Sequence, residues 1–314
     1  MNGDWWARPL AYAYLDPDAI LGAPDFRVVE AFLEKTRRTQ IGWHYVVDLT
    51  WLYSIAKHWP RTHRVLDAGG GNGVAQFLLL EMGFDVTNID LFLQPPKRAL
   101  VERYGASFEV FPSYRQTAYV DHLHDNFGAQ SAGQRLKRTF TEGRLWRLFD
   151  CARYRHRLHA WQQSAGIGDR HPGRLRWVKG NLCHFPEIPG QSFDAVISVS
   201  ALEHIPLADL SKAVEEIRRA LKPAAKFAIT TSGTDRDATW FHEPAKGLCF
   251  SDSDLQQIFS AALEPGLDAK HVLDLYRKNT YLKEHLADFY RQSGQNGMPW
   301  GKWDPSYIPV GLWR

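Results

Sequence analysis

From Val65 onward, short apolar runs alternate with helical stripes. Val65-Leu66-Asp67-Ala68 reads as a strand, Val74 to Met82 as an apolar helix closed by Gly83, and Val86 to Asp90 as a second strand. Further strands are expected at Leu175–Val178, Phe193–Ser198 and Lys226–Thr231. Near-continuous apolar runs of this length fit strands covered on both faces. Between the last two, Leu207, Leu210, Val214, Ile217 and Leu221 recur at steps of three and four, a helical stripe that stops before Pro223. Ser251 with Asp254 three residues on predicts the cap of a helix from Leu255 to Leu263. His271–Tyr276 and Ile308–Trp313 read as the last two strands. Strand and helix in alternation define an α/β protein with a mostly parallel sheet between helical layers.

Two regions fall outside this rhythm. Residues 1–60 are largely helical by periodicity and precede a core of 61–314, which is interrupted by a segment at 95–174. Leu145, Leu148, Phe149 and Ala152 have helical spacing, and a structureless loop of that length is rare in a compact domain, so a mainly helical insertion is expected. The segment holds 14 Lys/Arg against 7 Asp/Glu, a surplus of +7 that leaves −4 for the rest of a chain whose net charge is +3. Because it leaves the sheet between the second and third strands, it is placed to cap the acceptor side of a site at the strands' carboxyl ends. Its charge would suit an acidic or phosphorylated ligand, or a solvated helical face.

The 314 residues are enough for one large domain, and 44% hydrophobic with 23% charged is the balance of a globular chain. No basic head followed by an apolar run occurs in Met1–Leu21, and no uncharged apolar stretch is long enough to span a bilayer, so a cytoplasmic protein is expected. Cys151, Cys183 and Cys249 have no metal-ligand spacing and predict reduced thiols.

Val65-Leu66-Asp67-Ala68-Gly69-Gly70-Gly71-Asn72-Gly73 puts an acid at a strand end and glycines in the turn after it, where a ligand can approach the backbone closely. The dinucleotide pattern G-x-G-x-x-G fails at Val74, and no Lys-Ser/Thr pair follows the glycines, which argues against a nicotinamide enzyme and a triphosphate loop. Asp90 ends the second strand 17 residues beyond Gly73, where a carboxylate can take two ribose hydroxyls.

With these features the chain resembles class I, Rossmann-like S-adenosylmethionine-dependent methyltransferases, notably small-molecule enzymes. The resemblance rests on VLDAGGGNG at 65–73, NID at 88–90, FDAVISVSALEHI at 193–205 and ALKPAAKFAITT at 220–231. It implies a three-layer α/β/α fold with a seven-stranded sheet whose last strand, Ile308–Trp313, is antiparallel. It also implies S-adenosylmethionine as cofactor, with Asp67, Gly69, Gly71 and Gly73 around the methionine end, Asp90 and the neighbouring Leu91 at the ribose, Asn181 and Leu182 beside the adenine, and Ser198 and Val199 flanking it.

His204 is a candidate general base; alternatively Glu203-His204 only braces the loop after the fourth strand. Ser200 stands where relatives with a divalent metal have an acid, so no metal is expected. His44, in Gly42-Trp43-His44-Tyr45, precedes the first strand where such enzymes cover their cofactor, although aromatics there equally suit a core. Trp300, Trp303 and Tyr307 could stack on a sugar or pack the tail onto the core. The expected reaction is O-methylation of a small molecule or of a sugar unit of a glycan, the latter suggested by the aromatic tail and by a likeness of GWHYVVDLTW with GGGNGVAQFLL to methyltransferases of bacterial surface polysaccharide pathways. An enzyme acting on RNA or protein through the basic insertion, and a non-catalytic scaffold, are the alternatives. The absence of an Asn/Asp-Pro-Pro-aromatic motif after the fourth strand weighs against a nucleobase acceptor.

Overall fold

The computed structural model describes residues 9–114, 151–168, 171–288, 290 and 303–314. Its strands are β1 (Leu10–Tyr14), β2 (Arg64–Ala68), β3 (Asp85–Asp90), β4 (Ser107–Val110), β5 (Leu175–Lys179), β6 (Phe193–Val199), β7 (Leu221–Gly233), β8 (Trp240–His242), β9 (Gly247–Cys249), β10 (Ala261–Leu263) and β11 (Ile308–Trp313). Its helices are α1 (Pro17–Gly22), α2 (Pro24–Thr36), α3 (Tyr45–Ala56), α4 (Val74–Glu81), α5 (Arg98–Tyr104), α6 (Cys151–Ser164), α7 (Leu207–Ala220), α8 (Asp252–Phe259), α9 (Ala269–Lys278) and α10 (Thr280–Glu284).

Among the described residues, nine strands make one sheet in the order β10-β1-β11-β7-β6-β2-β3-β5-β4, and β8 pairs with β9 as a separate hairpin. The strands from β7 to β4 run parallel, while β11 is antiparallel to both its neighbours, β7 and β1. Ala195, Val196, Ile197 and Ser198 of β6 are all buried, the mark of a strand covered on both faces. This is the expected three-layer α/β architecture, with the antiparallel Ile308–Trp313 in place.

Four local departures have identifiable causes. Leu10–Tyr14 lies in a stretch read as helical but buries Leu10, Tyr12 and Tyr14, a period of two, and so forms β1. His271–Tyr276 is not a strand: Val272, Leu273 and Tyr276 are buried at helical spacing, and Asp268 accepts the His271 N–H to cap α9. The helix capped by Ser251 ends at Phe259, because Ser260 turns left-handed at φ 47° and sends Ala261–Leu263 into pairing with β1. With the strand at 271–276 lost, β1 and β10 gained beyond β11 and β4 gained beyond β5, the sheet has nine strands among the described residues rather than seven.

In the segment 95–174, α5 and β4 extend the sheet edge, and α6 packs on α2. Trp161 Nε1–H donates to Val28 O and Gln162 Nε2–H to Glu81 O, each at 2.9 Å. Leu145, Leu148 and Phe149, with the middle of the expected cap, lie outside the described residues. No helix among the described residues is long and apolar enough to cross a membrane.

Candidate active site

The carboxyl ends of β2, β3, β5, β6 and β7 face one region, and the glycine turn after β2 is its centre. Gly69 adopts φ 79°, where a side chain is strained, and a Cβ there would stand 2.9 Å from Ala201 Cβ and 3.5 Å from Leu182 Cδ1. The turn, the loop after β5 and the loop after β6 thus converge on Gly69. At Gly70 a Cβ would lie 2.0 Å from Asp67 Oδ2, so the Asp67 carboxyl is folded up beneath the turn.

Asp67 is buried, and among the described residues neither of its oxygens meets a hydrogen-bond partner. Burial, reinforced by the charge of Asp90, pushes its pKa up to about 8. A buried carboxyl without donors costs stability, ~1–3 kcal/mol or more. Such a group fits a ligand that brings donors or positive charge to the turn.

A buried polar network holds the turn in place. Gln76, on the first turn of α4, donates Nε2–H to Gly71 O at 3.0 Å and to Gly73 O at 3.2 Å. Its Oε1 accepts from Trp177 Nε1–H at 2.6 Å and from Asn88 Nδ2–H at 3.1 Å, and Asn88 also donates to Gly71 O at 2.7 Å. One glutamine amide thereby joins the turn to β3 and β5.

At the end of β3, Asp90 accepts the Gly71 N–H on Oδ2 at 3.1 Å and the Phe92 N–H on Oδ1 at 2.7 Å. Burial raises its pKa, and these amides and nearby His204 pull it back. Each carboxylate oxygen still has a second lone-pair direction for a hydroxyl donor. Leu91 follows half-buried, its carbonyl accepting from Tyr114 Oη–H at 3.4 Å. Asn181 uses Oδ1 to accept the Cys183 N–H at 2.9 Å, shaping the loop that places Leu182 beside Gly69. Ser198 is fully buried and donates to Ala68 O at 2.8 Å, tying β6 to β2, while Val199 is half-buried at the strand end.

Beyond β6 the chain reverses at Ser200, φ 49°, into a short turn at Leu202–His204. Glu203 is 2% exposed and accepts from Ser200 Oγ at 2.5 Å, Thr231 Oγ1 at 3.2 Å and Ser232 Oγ at 3.5 Å. Glu203 therefore braces this loop against β7. His204 Nδ1–H donates to Lys246 O at 2.8 Å, which puts the lone pair of the neutral ring on Nε2.

Next to this loop lies a cavity of about 180 Å³ lined by the loop after β6, the β8–β9 hairpin, the start of α3, Tyr290 and Tyr307. Three histidines line it. His242 accepts the Ala245 N–H on Nδ1 at 3.1 Å and meets Ser306 Oγ through Nε2 at 3.0 Å, and burial lowers its pKa, so it is a neutral structural ring. His44, four residues before Asp48 on the first turn of α3, contacts Asp48 Oδ2 through Nδ1 at 2.6 Å. His44 also stacks on Tyr45, ring centroids 4.6 Å apart.

Of the tail aromatics, Trp303 packs on Trp43 and donates Nε1–H to Tyr276 O at 2.8 Å. Tyr307 packs on Trp43 and also lines the cavity, and Trp300 lies outside the described residues. Cys183 and Cys249 are free thiols, and burial raises the pKa of Cys183 to about 11 and that of Cys249 further. No cluster of three or more metal-ligating side chains occurs among the described residues.

A family profile described as a methyltransferase domain matches residues 50–264, more than half of the chain, and the chain belongs to that family. It is an S-adenosylmethionine-dependent methyltransferase of the class I, Rossmann-like type. No curated protein matches it. Among solved structures, it is similar to a SAM-dependent methyltransferase from Methanosarcina mazei, with 12% identity over 83% of this chain and 95% of that one at a TM-score of 0.40. It is also similar to the Burkholderia thailandensis 1,6-didemethyltoxoflavin-N1-methyltransferase, solved with that compound and S-adenosylhomocysteine, with 16% identity over 93% and 90% at a TM-score of 0.43. Likeness at this distance places no constraint on the acceptor.

Proposed function

We propose that the protein transfers a methyl group to a hydroxyl of a small ring compound in the cytoplasm, the ring being free or a sugar unit of a glycan. The observation that carries this reading is the cavity beside the loop after β6, where two imidazoles, His44 and His204, have Nδ1 engaged by fixed oxygen partners. Bound S-adenosylmethionine supplies a methyl already activated on a sulfonium, so the chain's tasks are to align the acceptor, exclude water and take a proton. An oxygen acceptor needs that proton removed, and a cavity with imidazole lone pairs supplies the means.

In this reading Asp67, with the backbone of Gly69, Gly71 and Gly73, holds the methionine end of the cofactor. Asp90 and Leu91 hold the ribose, Asn181 and Leu182 border the adenine, and Ser198 and Val199 close the side toward β6. The convergence of these loops on Gly69 and the unpartnered Asp67 carboxyl support the arrangement.

At about 180 Å³ the cavity is smaller than the roughly 300–1,000 Å³ of pockets for drug-sized ligands, which favours one ring. Its described lining has Glu203 as its carboxylate and no Lys or Arg, so a neutral hydroxylated ring suits it better than the acidic or phosphorylated acceptor suggested by the charge of 95–174. The test is incubation with methyl-deuterated S-adenosylmethionine and a panel of methyl glycosides, phenols, amines and RNA oligonucleotides, read by mass spectrometry. Label on a glycoside or phenol oxygen supports the reading; label confined to amines or RNA refutes it.

A further inference from the structure

The cavity contains two imidazoles placed to receive a proton, and they differ in what stands behind them. His204 has a neutral backbone carbonyl at Nδ1, whereas His44 has a carboxylate that is 1% exposed. Asp48 Oδ1 meets no partner among the described residues, so the contact with His44 is the one that satisfies the group. The spacing of four residues puts both side chains on one face of α3, the helix whose start lines the cavity. His44 is wedged between the stacked Tyr45 ring and the edge-on Tyr307 ring, which fixes the imidazole plane.

We propose that the His44–Asp48 pair is the proton acceptor of the cavity, with Asp48 holding the ring so that Nε2 carries the lone pair. This rests on the O-methylation reading. The acceptor O–H breaks with its electron pair left on the oxygen that takes the methyl. The proton goes to Nε2, and the Asp48 carboxylate balances the imidazolium until the proton is lost to solvent. A carboxylate hydrogen-bonded at Nδ1 offsets that charge more fully than the carbonyl dipole at Nδ1 of His204, even with Asp90 also acting on His204, which is why His44 takes the proton.

Glu203, Tyr45 and Tyr276 interact electrostatically with Asp48, Tyr307 packs on the His44 ring, and His204 and His242 line the same cavity. The pKa of Asp48 is raised on balance, by burial foremost and to a smaller extent by Glu203, with the His44 ring holding part of that rise back. Tyr45, Tyr276 and Tyr307 are pushed up by burial and stay neutral through the working range.

The first test needs no acceptor. In protein labelled with ¹⁵N-histidine at neutral pH, His44 is expected to show a protonated Nδ1 and a bare Nε2, the reverse of the form that dominates in free histidine. Asp48→Asn should shift His44 toward the Nε2–H form and slow its modification by diethyl pyrocarbonate, followed by peptide mass spectrometry, at least tenfold. S-adenosylhomocysteine affinity and Tm, measured on the same samples, report whether the variant is folded. On a hydroxyl acceptor from the panel above, His44→Gln should lower kcat by ~10²–10⁴-fold and remove the acid limb of the pH profile, with KM little changed. His44 found as the Nε2–H form in the wild-type protein overturns the proposal, as does a His44→Gln enzyme that keeps its turnover and acid limb. Failure to bind S-adenosylhomocysteine refutes the functional reading itself, whatever the state of His44.

Discussion

Gly71 donates its amide N–H to Asp90 Oδ2 at 3.1 Å, so the acid that ends β3 also anchors the glycine turn that follows β2. One carboxylate thus ties the end of β3 to the glycine turn. Asp90→Ala removes the proposed ribose contacts and frees the turn at Gly71 and the chain at Phe92. Affinity for S-adenosylhomocysteine should fall by ~2–3 kcal/mol, about 30- to 150-fold, on calorimetry. An unchanged dissociation constant would place the ribose elsewhere.

Asp67 should trade stability for binding. With its pKa raised from 3.8 to about 8, the folded protein keeps a proton that the unfolded chain has already released. Stability therefore falls as pH rises from about 4 to about 8, and above that window this contribution is constant. Asp67→Asn cannot ionise, so its Tm relative to wild type should climb across that range, by on the order of 5 °C or more at pH 8. The same variant should bind S-adenosylmethionine at least tenfold more weakly. In wild type, binding should release a proton below pH 8, detectable by calorimetry in buffers of different ionisation enthalpy. A Tm difference independent of pH would contradict the assignment of a buried, proton-holding Asp67.

The parallel core was legible because strands buried on both faces leave unbroken apolar runs, and the glycine turn because backbone geometry restricts its residue types. What escaped was decided by partners distant in sequence. Leu10–Tyr14 is a strand because β10 and β11 stand ready to pair with it, and that pairing leaves no mark beyond the alternation of Leu10, Tyr12 and Tyr14. In His271–Tyr276, Val272, Leu273, Leu275 and Tyr276 suit a strand as well as a helix, and the Asp268 cap and the buried set decide for the helix. In the site, the Glu203 brace was among the readings available, but two of its three hydroxyl donors, Thr231 and Ser232, lie on β7. The step of four from His44 to Asp48 was visible in the sequence, and so was a lone Gln76 inside an apolar helix. Neither pattern has meaning until the cavity and the turn are seen beside it. His242, Tyr290 and the hairpin that brings Lys246 O to His204 depend wholly on tertiary folding.

His204 provides the contrast to the His44–Asp48 pair. Its ring is held by Lys246 O and lies near enough to Asp90 to influence that carboxyl, so it stands between the proposed ribose site and the cavity. If its task is to position the acceptor, His204→Gln should raise acceptor KM about tenfold, lower kcat by less than that, and leave the acid limb of the pH profile in place. A kcat loss of 10²-fold with KM unchanged would instead make His204 the proton acceptor.

Gln76 is the residue on which the turn's geometry most depends. Its amide is fully buried and fully used, with two bonds donated to Gly71 O and Gly73 O and two accepted from Asn88 and Trp177. Gln76→Leu keeps the volume but leaves the Trp177 Nε1–H without its acceptor and weakens the hold on both glycine carbonyls. Each unmade buried bond costs ~1–3 kcal/mol, so a loss of about 2–5 kcal/mol in urea denaturation is expected. Gln76→Glu is the sharper probe. A carboxylate still accepts from Trp177 and Asn88 with one oxygen, but it cannot donate, and its other oxygen turns lone pairs toward the two glycine carbonyls. It should therefore disturb the turn more than the network beneath it, weakening S-adenosylhomocysteine binding at least tenfold while the folded protein persists at neutral pH. Equal affinity in Gln76→Glu and wild type would show that the turn holds its shape without this amide.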